Sequence, residues 1–364
     1  MQAKFISQSK LGEWLGELGA SFKVWAPRYE GKAKSGAVVF RPYVAGTELE
    51  LNKKPTESAK HVIFPRSEAL INYRRNQDPA TPGKPALQLE VPKAPEASLV
   101  FGLLPCDARG FMVFDPVYNG SGTGGKAKDI YYLRRRSNTV LIAIACAKVF
   151  GTCFCNWVGG SPSSTEGADV LATAVANGYM LMPVTPEGEA VLTSALLSDA
   201  APEMLQEAEQ SHQKAAAALK PAQDVADAVE ALVNKFEDAA FWQAESAHCL
   251  SCGACTYLCP TCYCFNVTDE SAGLNGVRLR NWDACMTPLF TLEASGHNPR
   301  MQKAMRLKNR VGHKFSYYPA LHEQRIACVG CGRCIKSCPS GVDIRRIVTD
   351  AIGITKAQEI KGKE

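Results

Sequence analysis

Cys328-Val-Gly-Cys331-Gly-Arg-Cys334-Ile-Lys-Ser-Cys338-Pro339 decides the fold, because its spacing also occurs earlier, in Cys249-Leu-Ser-Cys252-Gly-Ala-Cys255-Thr-Tyr-Leu-Cys259-Pro260. A C-x2-C-x2-C loop wraps three thiolates around one face of a cubane cluster, and the fourth cysteine, ahead of proline, reaches across to the other cluster. The duplicated spacing therefore predicts two [4Fe–4S] clusters. Cluster one takes Cys249, Cys252, Cys255 and Cys338; cluster two takes Cys328, Cys331, Cys334 and Cys259. One copy alone would also suit zinc, whereas two identical copies closed by Cys-Pro are specific to a dicluster ferredoxin.

The remaining cysteines extend the same chemistry. The chain has 15 in 364 residues. Its N-terminus lacks the apolar core and cleavage pattern of a secretory signal, and cysteine without an export signal points to metal or redox chemistry rather than disulfides. The cytoplasm is the expected compartment. No apolar run approaches the ~20 residues needed to span a bilayer, so no membrane insertion is expected. A hydrophobic content of 46% and a charged content of 21% describe an ordinary globular protein. The formal charge of +5 is not a nucleic-acid signal, because each cluster with its four thiolates carries about −2: two clusters leave about +1, three about −1.

Residues 1–200 read as a mixed α/β domain. The runs 22–25 and 61–64 suit strands, and 66–75 has helical spacing. Residues 98–104 and 139–145 are buried-strand runs with a helix from Asp107 to Tyr118 between them, the pattern of a βαβ unit with parallel strands. Cys106 and Cys146 follow those two strands and so fall on one sheet edge, where open α/β sheets bind ligands. Cys153 and Cys155 lie close enough in sequence to fold over the same edge. Together the four make a candidate third [4Fe–4S] site; the competing expectation is small buried hydrophobes. Gly120-Ser-Gly-Thr-Gly-Gly125 is read as a flexible loop, since it lacks the ending of a phosphate-binding loop.

Residues 201–247 read as a helical connector, with a helix from 203 to 220 and an amphipathic stripe through Val225, Val229, Leu232, Val233 and Phe236. Residues 248–350 form the dicluster domain, with an insertion at 265–320 between its boxes; 351–364 is a polar tail. Cys262, Cys264 and Cys285 are weaker metal candidates, with His297 or Asp283 as a possible fourth ligand. The basic run 300–314, with Lys303, Arg306, Lys308 and Arg310, is read as a solvated face or a counter-charge to the clusters. Docking of an acidic partner subunit is the second reading of that run, and Arg134, Arg135 and Arg136 allow the same readings. No hydrolytic motif and no dinucleotide fingerprint occurs, so no flavin or NAD is expected on this chain.

These motifs together resemble a family of iron–sulfur proteins, the sulfhydrogenase beta subunits and the corresponding subunits of anaerobic sulfite reductases. Its members are 4Fe–4S dicluster proteins also found in flavin oxidoreductase–heterodisulfide reductase complexes. The resemblance rests on Pro105-Cys-Asp107, Cys146 with Cys153-Phe-Cys155, Asp169-Val-Leu-Ala-Thr173 and Cys259-Pro-Thr-Cys-Tyr-Cys-Phe265. It continues through Arg280-Asn-Trp-Asp-Ala-Cys285, Gly296-His-Asn-Pro-Arg300, His313-Lys-Phe315 and the second cysteine box, spanning residues 25–347. The stretch 120–125 departs from it. It implies an α+β chain: an N-terminal mixed α/β domain followed by an α-helical dicluster ferredoxin. It also implies a partner subunit binding flavin and NAD(P), plus a terminal hydrogenase, sulfite reductase or heterodisulfide-reductase-like subunit, with free ferredoxin as a further partner.

The expected function is a non-catalytic, single-electron relay in a cytoplasmic, anaerobic redox complex. Two alternatives belong to other classes. One is a redox enzyme with a substrate or special cluster near Cys106 and Cys146; the other is a zinc-stabilised binding module.

Overall fold

The computed structural model describes residues 2–31, 36–78, 80–81, 83–121 and 125–353. Positions 122–124 of the glycine-rich stretch and 354–364 of the polar tail lie outside the described residues. The fold is α+β, with the cysteine boxes toward the C-terminus.

The strand runs at 98–103 and 139–144 are buried along their whole length, which only a sheet covered on both faces permits. That sheet contains, in chain order, β1 (Lys4–Ser7), β2 (Lys23–Glu30), β3 (Ala37–Pro42), β6 (Ser98–Leu103), β7 (Thr139–Ile144), β8 (Val170–Val175), β9 (Gly178–Pro183) and β10 (Ser198–Asp199). Its spatial order is β10-β1-β9-β8-β7-β6-β2-β3. The four central strands β8, β7, β6 and β2 are parallel, and the flanking strands are antiparallel. Side chains alternate between two cores. Val100 and Leu141 face Phe111, Phe114 and Tyr132 on one side, while Phe101 and Ile142 face Trp14 and Leu15 on the other.

The βαβ unit is present: β6, the helix Pro105–Tyr118, a second helix Ile130–Ser137, then β7 parallel to β6. Elsewhere two local expectations fail. Residues 61–64 do not form a strand: 61–63 lie on the short helix Lys60–Ile63, and Phe64 caps it. Residues 66–75 do not form a helix; they belong to β4 (Ser67–Gln77). β4 joins β5 (Pro85–Glu90), β11 (Phe265–Ala272) and β12 (Asn275–Trp282) in a four-stranded antiparallel sheet, ordered β11-β12-β4-β5. The segment between the two cysteine boxes is therefore a hairpin paired to an early part of the chain, with Asn275 opposite Arg74 and Asn281 opposite Ser67. Buried Arg280 fixes this register through ion pairs to Glu68 and Asp129, and Glu68 also accepts from Arg135 at 2.8 Å. Arg135 is thus tied into the fold rather than free on a surface.

The helices Pro202–Ala217, Ala228–Asn234 and Ala239–Ser246 connect the sheets to the cysteine boxes. In the expected stripe, Val225 and Leu232 are buried, but Val233, on the outer face of the helix, and Phe236, beyond its end at Asn234, are exposed. A third core wraps the boxes, built from Phe154, Trp242, Leu307, Val311, Phe315, Ile347 and Val348. Among the described residues no helix is long and apolar enough to cross a membrane.

Candidate iron–sulfur centres

Each box makes a loop that turns through left-handed glycines and runs into one helical turn, Ala254–Tyr257 in the first and Arg333–Lys336 in the second. Cys249, Cys252, Cys255 and Cys338 line one cavity, so the last cysteine of box two reaches the loop of box one. Backbone N–H groups point at two of these sulfurs, from Ser251 to Cys249 at 3.4 Å and from Val342 to Cys338 at 3.3 Å. Such donors stabilise thiolate sulfur. Cys334 is neighboured by Cys331, Cys259 and Cys328, which gathers the four thiols expected for cluster two. Burial pushes the Cys334 thiol up to about 12 and the Cys328 thiol up to about 11. Neutral thiols in an apolar site become ligands only when metal charge replaces their protons.

Charge tests the fit. The helix Lys303–Gly312 and the π-turn after it carry Arg306, Arg310 and Lys314, all at most 5% exposed. This corrects the expectation of a solvated face for these residues. Arg306 donates to the Met286 carbonyl and to the Ser251 hydroxyl, both at 3.0 Å, and Arg310 donates to the Cys255 carbonyl at 3.0 Å. The Arg310 Nε is buried without any acceptor, and its side chain lines the box-one cavity. Isolated cations are costly to bury, so this one calls for an anion in that cavity. A cubane held by four thiolates carries the required charge. Lys303, at the exposed start of the same helix, donates to the carbonyls of Ala247 and Cys249.

Cys106, Cys146, Cys153 and Cys155 line a second cavity of about 360 Å³ at the C-terminal ends of β6 and β7. Cys331 of box two lines it as well. Lys54, which no motif or periodicity singles out, bridges the two groups. Its Nζ lies 3.7 Å from Cys153 Sγ and donates to the Cys331 carbonyl. Backbone contact is equally close, with Phe154 N–H bonded to the Gly330 carbonyl at 2.8 Å. Gly330 and Gly332 both have positive φ, and a Cβ on Gly332 would come within 2.1 Å of the Thr152 carbonyl.

Cys262, Cys264 and Cys285 form a further group beside Cys259. The Cys264 thiol pairs with that of Cys285, and Cys262 pairs with Cys259. Neither suggested fourth ligand completes it: His297 is exposed, and Asp283 accepts from the Ala284 N–H at 2.6 Å. Among the described residues, no three His, Cys, Asp or Glu side chains converge on the position of a single metal ion, the two boxes included.

Comparison with known proteins agrees with this chemistry. Residues 248–342 match the 4Fe-4S dicluster domain. The chain is 29% identical over 255 residues to the sulfhydrogenase 2 subunit beta of Pyrococcus furiosus, covering 69% of this chain and 73% of that protein. No solved structure gives a significant match. The chain is a homologue of that sulfhydrogenase beta subunit, and its C-terminal part is a 4Fe-4S dicluster domain.

Proposed function

We propose that this chain is the iron–sulfur electron-transfer subunit of a cytoplasmic, anaerobic redox complex, relaying single electrons between a terminal enzyme and a partner that binds flavin and NAD(P). The name of the Pyrococcus relative favours a hydrogenase as that enzyme. One observation carries the relay: the four thiols around Cys334 are the middle of a series. Cys334 itself lines the cavity of cluster one, and Cys331 lines the cavity of the third group. Bound [4Fe–4S] clusters would supply one-electron carriers whose potentials depend on hydrogen bonds and burial.

The chain's own residues set that environment. The third core keeps water from the middle group, where Cys259, Cys328 and Cys331 are all below 10% exposure. Lys54, Arg310 and Lys314 hold positive charge against the thiolates. Cys252, in contrast, is exposed, which gives cluster one a face toward a partner.

Replacing Cys146 with serine tests the third site. Loss of about four irons per chain and of one paramagnetic signal, with the two dicluster signals kept, is the expected result. Unchanged iron and signals would remove the third site. A pale, iron-poor wild-type protein from anaerobic preparation would remove the whole proposal.

The roominess of the second cavity supports one competing reading, a redox enzyme. Its volume of about 360 Å³ is within the range of small-molecule pockets. Under that reading Cys106→Ser keeps its iron and loses turnover of the complex.

A further inference from the structure

Of the 15 cysteines, Cys252 alone is exposed, and with Leu250 it lines the cavity of cluster one. Arg306 ties the chain around it. Its guanidinium donates to the Ser251 hydroxyl and the Met286 carbonyl, both at 3.0 Å, and to the carbonyls of Arg300 and Met301 at 2.9 and 2.5 Å. One buried side chain therefore holds three separate segments within hydrogen-bond reach of itself. They are the box-one loop, the stretch after Cys285 and the approach to the helix Lys303–Gly312. Asn298 folds the intervening loop, donating to the Pro288 carbonyl at 2.6 Å and accepting from the Thr291 hydroxyl at 2.8 Å and the Arg300 N–H at 3.0 Å. Lys303 adds a second tie through its bonds to the Ala247 and Cys249 carbonyls.

Each of the three segments leaves a large apolar side chain in solvent: Leu250 is 67% exposed, Leu289 72% and Met301 66%. Single exposed apolar residues are ordinary, whereas several on segments pinned together round a redox centre mark a surface for a partner. Charge says which kind of partner. From 284 to 322 the chain carries six Lys and Arg against one acidic residue, Glu293. Arg306, Arg310 and Lys314 are buried beside the cysteine boxes. Arg300, Lys303 and Lys308 are only half-buried, and none of them belongs to an ion pair among the described residues. The surface beside Cys252 is thus apolar with a cationic border.

We propose that this surface is the docking site of an acidic one-electron carrier protein, with Leu250, Leu289 and Met301 meeting its apolar centre and Arg300 and Lys303 its carboxylates. The inference rests on the relay reading and adds the place and the chemistry of one partner. Opposite charges on the two borders speed the encounter, and apolar contact sets how long it lasts. The reduced carrier gives up one electron to cluster one and departs oxidised; no bond breaks and no proton moves.

The test uses a small acidic [2Fe–2S] ferredoxin as probe and the full chain, purified anaerobically, as wild type and as the variant Leu289→Glu, Met301→Glu. Its control is Leu87→Glu, Leu89→Glu on β5, two similarly exposed apolar residues of the other sheet. Calorimetry measures binding, and stopped-flow absorbance follows reduction of the chain by reduced ferredoxin and, separately, by dithionite. Wild type should bind the probe less tightly as salt rises, and a carbodiimide should join ferredoxin carboxylates to Lys303. The docking variant should bind about tenfold more weakly and be reduced by ferredoxin correspondingly more slowly. Its iron content, paramagnetic spectrum and dithionite rate should match wild type, and the control should match wild type throughout. Should iron fall in the docking variant, Leu289→Glu alone takes its place. An iron-replete wild type that does not bind the probe, or binding that changes equally in both variants or in neither, overturns the docking site alone. An iron-poor wild type overturns the relay reading and this inference with it.

Discussion

Arg333 and Asp107 form a bidentate ion pair, Nη1 to Oδ1 at 2.5 Å and Nη2 to Oδ2 at 2.8 Å, with both side chains at most 3% exposed. Arg333 sits inside the second cysteine box, and Asp107 sits in the first turn of the helix after β6. The Arg333 Nε also donates to the Pro55 carbonyl at 3.0 Å. Removing one partner of such a pair strands the other as a buried charge. Arg333→Met should therefore lower stability by roughly 3–5 kcal/mol, read as a fall in melting temperature. The double variant Arg333→Met, Asp107→Leu should recover much of that loss; no recovery would mean that the pair is not the cause.

Gly332 separates the dicluster loop from the Cys153 loop by the space a methyl would fill. Gly332→Ala adds a Cβ beside the Thr152 carbonyl at a φ of +71°. The outcome expected is displacement of the Cys153–Cys155 segment, with iron lost from the third site before the dicluster. Iron content and the paramagnetic spectrum of the variant check this, and an unaltered spectrum would contradict it.

Arg310 places a positive charge among Cys255, Cys334, Cys262 and Cys259. Reduction adds negative charge, so this cation favours the reduced state. Arg310→Met should move the neighbouring midpoint potentials downward, on the order of 60 mV, which is tenfold in a one-electron equilibrium. A redox titration that shows no downward movement would refute this.

His61 supplies a pH dependence. Both ring nitrogens are buried, and burial, reinforced by Arg66 and Arg41, lowers its pKa to about 4. Unfolding restores an ordinary value of about 6.5. The unfolded chain then binds more protons between these limits, so stability is complete above about 6.5 and is lost as pH falls toward 4. His61→Phe should flatten the melting temperature across that window; an unchanged slope would assign the acid sensitivity elsewhere.

The thiols give a proton count. Burial raises Cys328, Cys334 and Cys146 to about 11 or 12, so they enter a cluster as neutral groups. Reconstitution of the metal-free chain in weak buffer should release about one proton from each of these three thiols, and chelation should unravel the boxes. Iron uptake without acidification would contradict the assignment of these thiols.

The spacing of the boxes was legible because covalent distance along a short loop fixes which thiols can meet. Cys106 and Cys146 were legible for a related reason: two buried runs flanking a helix imply parallel strands and one shared edge. Residues 66–75 were not legible, because their strand is defined by β12, about two hundred residues away, and its exposed face carries no alternating pattern. For Arg306, Arg310 and Lys314 a solvated face and a counter-charge to the clusters both stayed open, because part of what they face is inorganic and is not spelled in amino acids. Lys54 carried no local signal at all. Its meaning comes from the thiols that the fold brings to it.

The sheet that joins β4 to β12 has a consequence for biosynthesis. A ribosome releases β4 long before its partner exists, so one flank of the nascent strand waits open for most of translation. A protein truncated ahead of residue 275 should emerge sticky and dependent on chaperones, even though both layers of its larger sheet are already encoded.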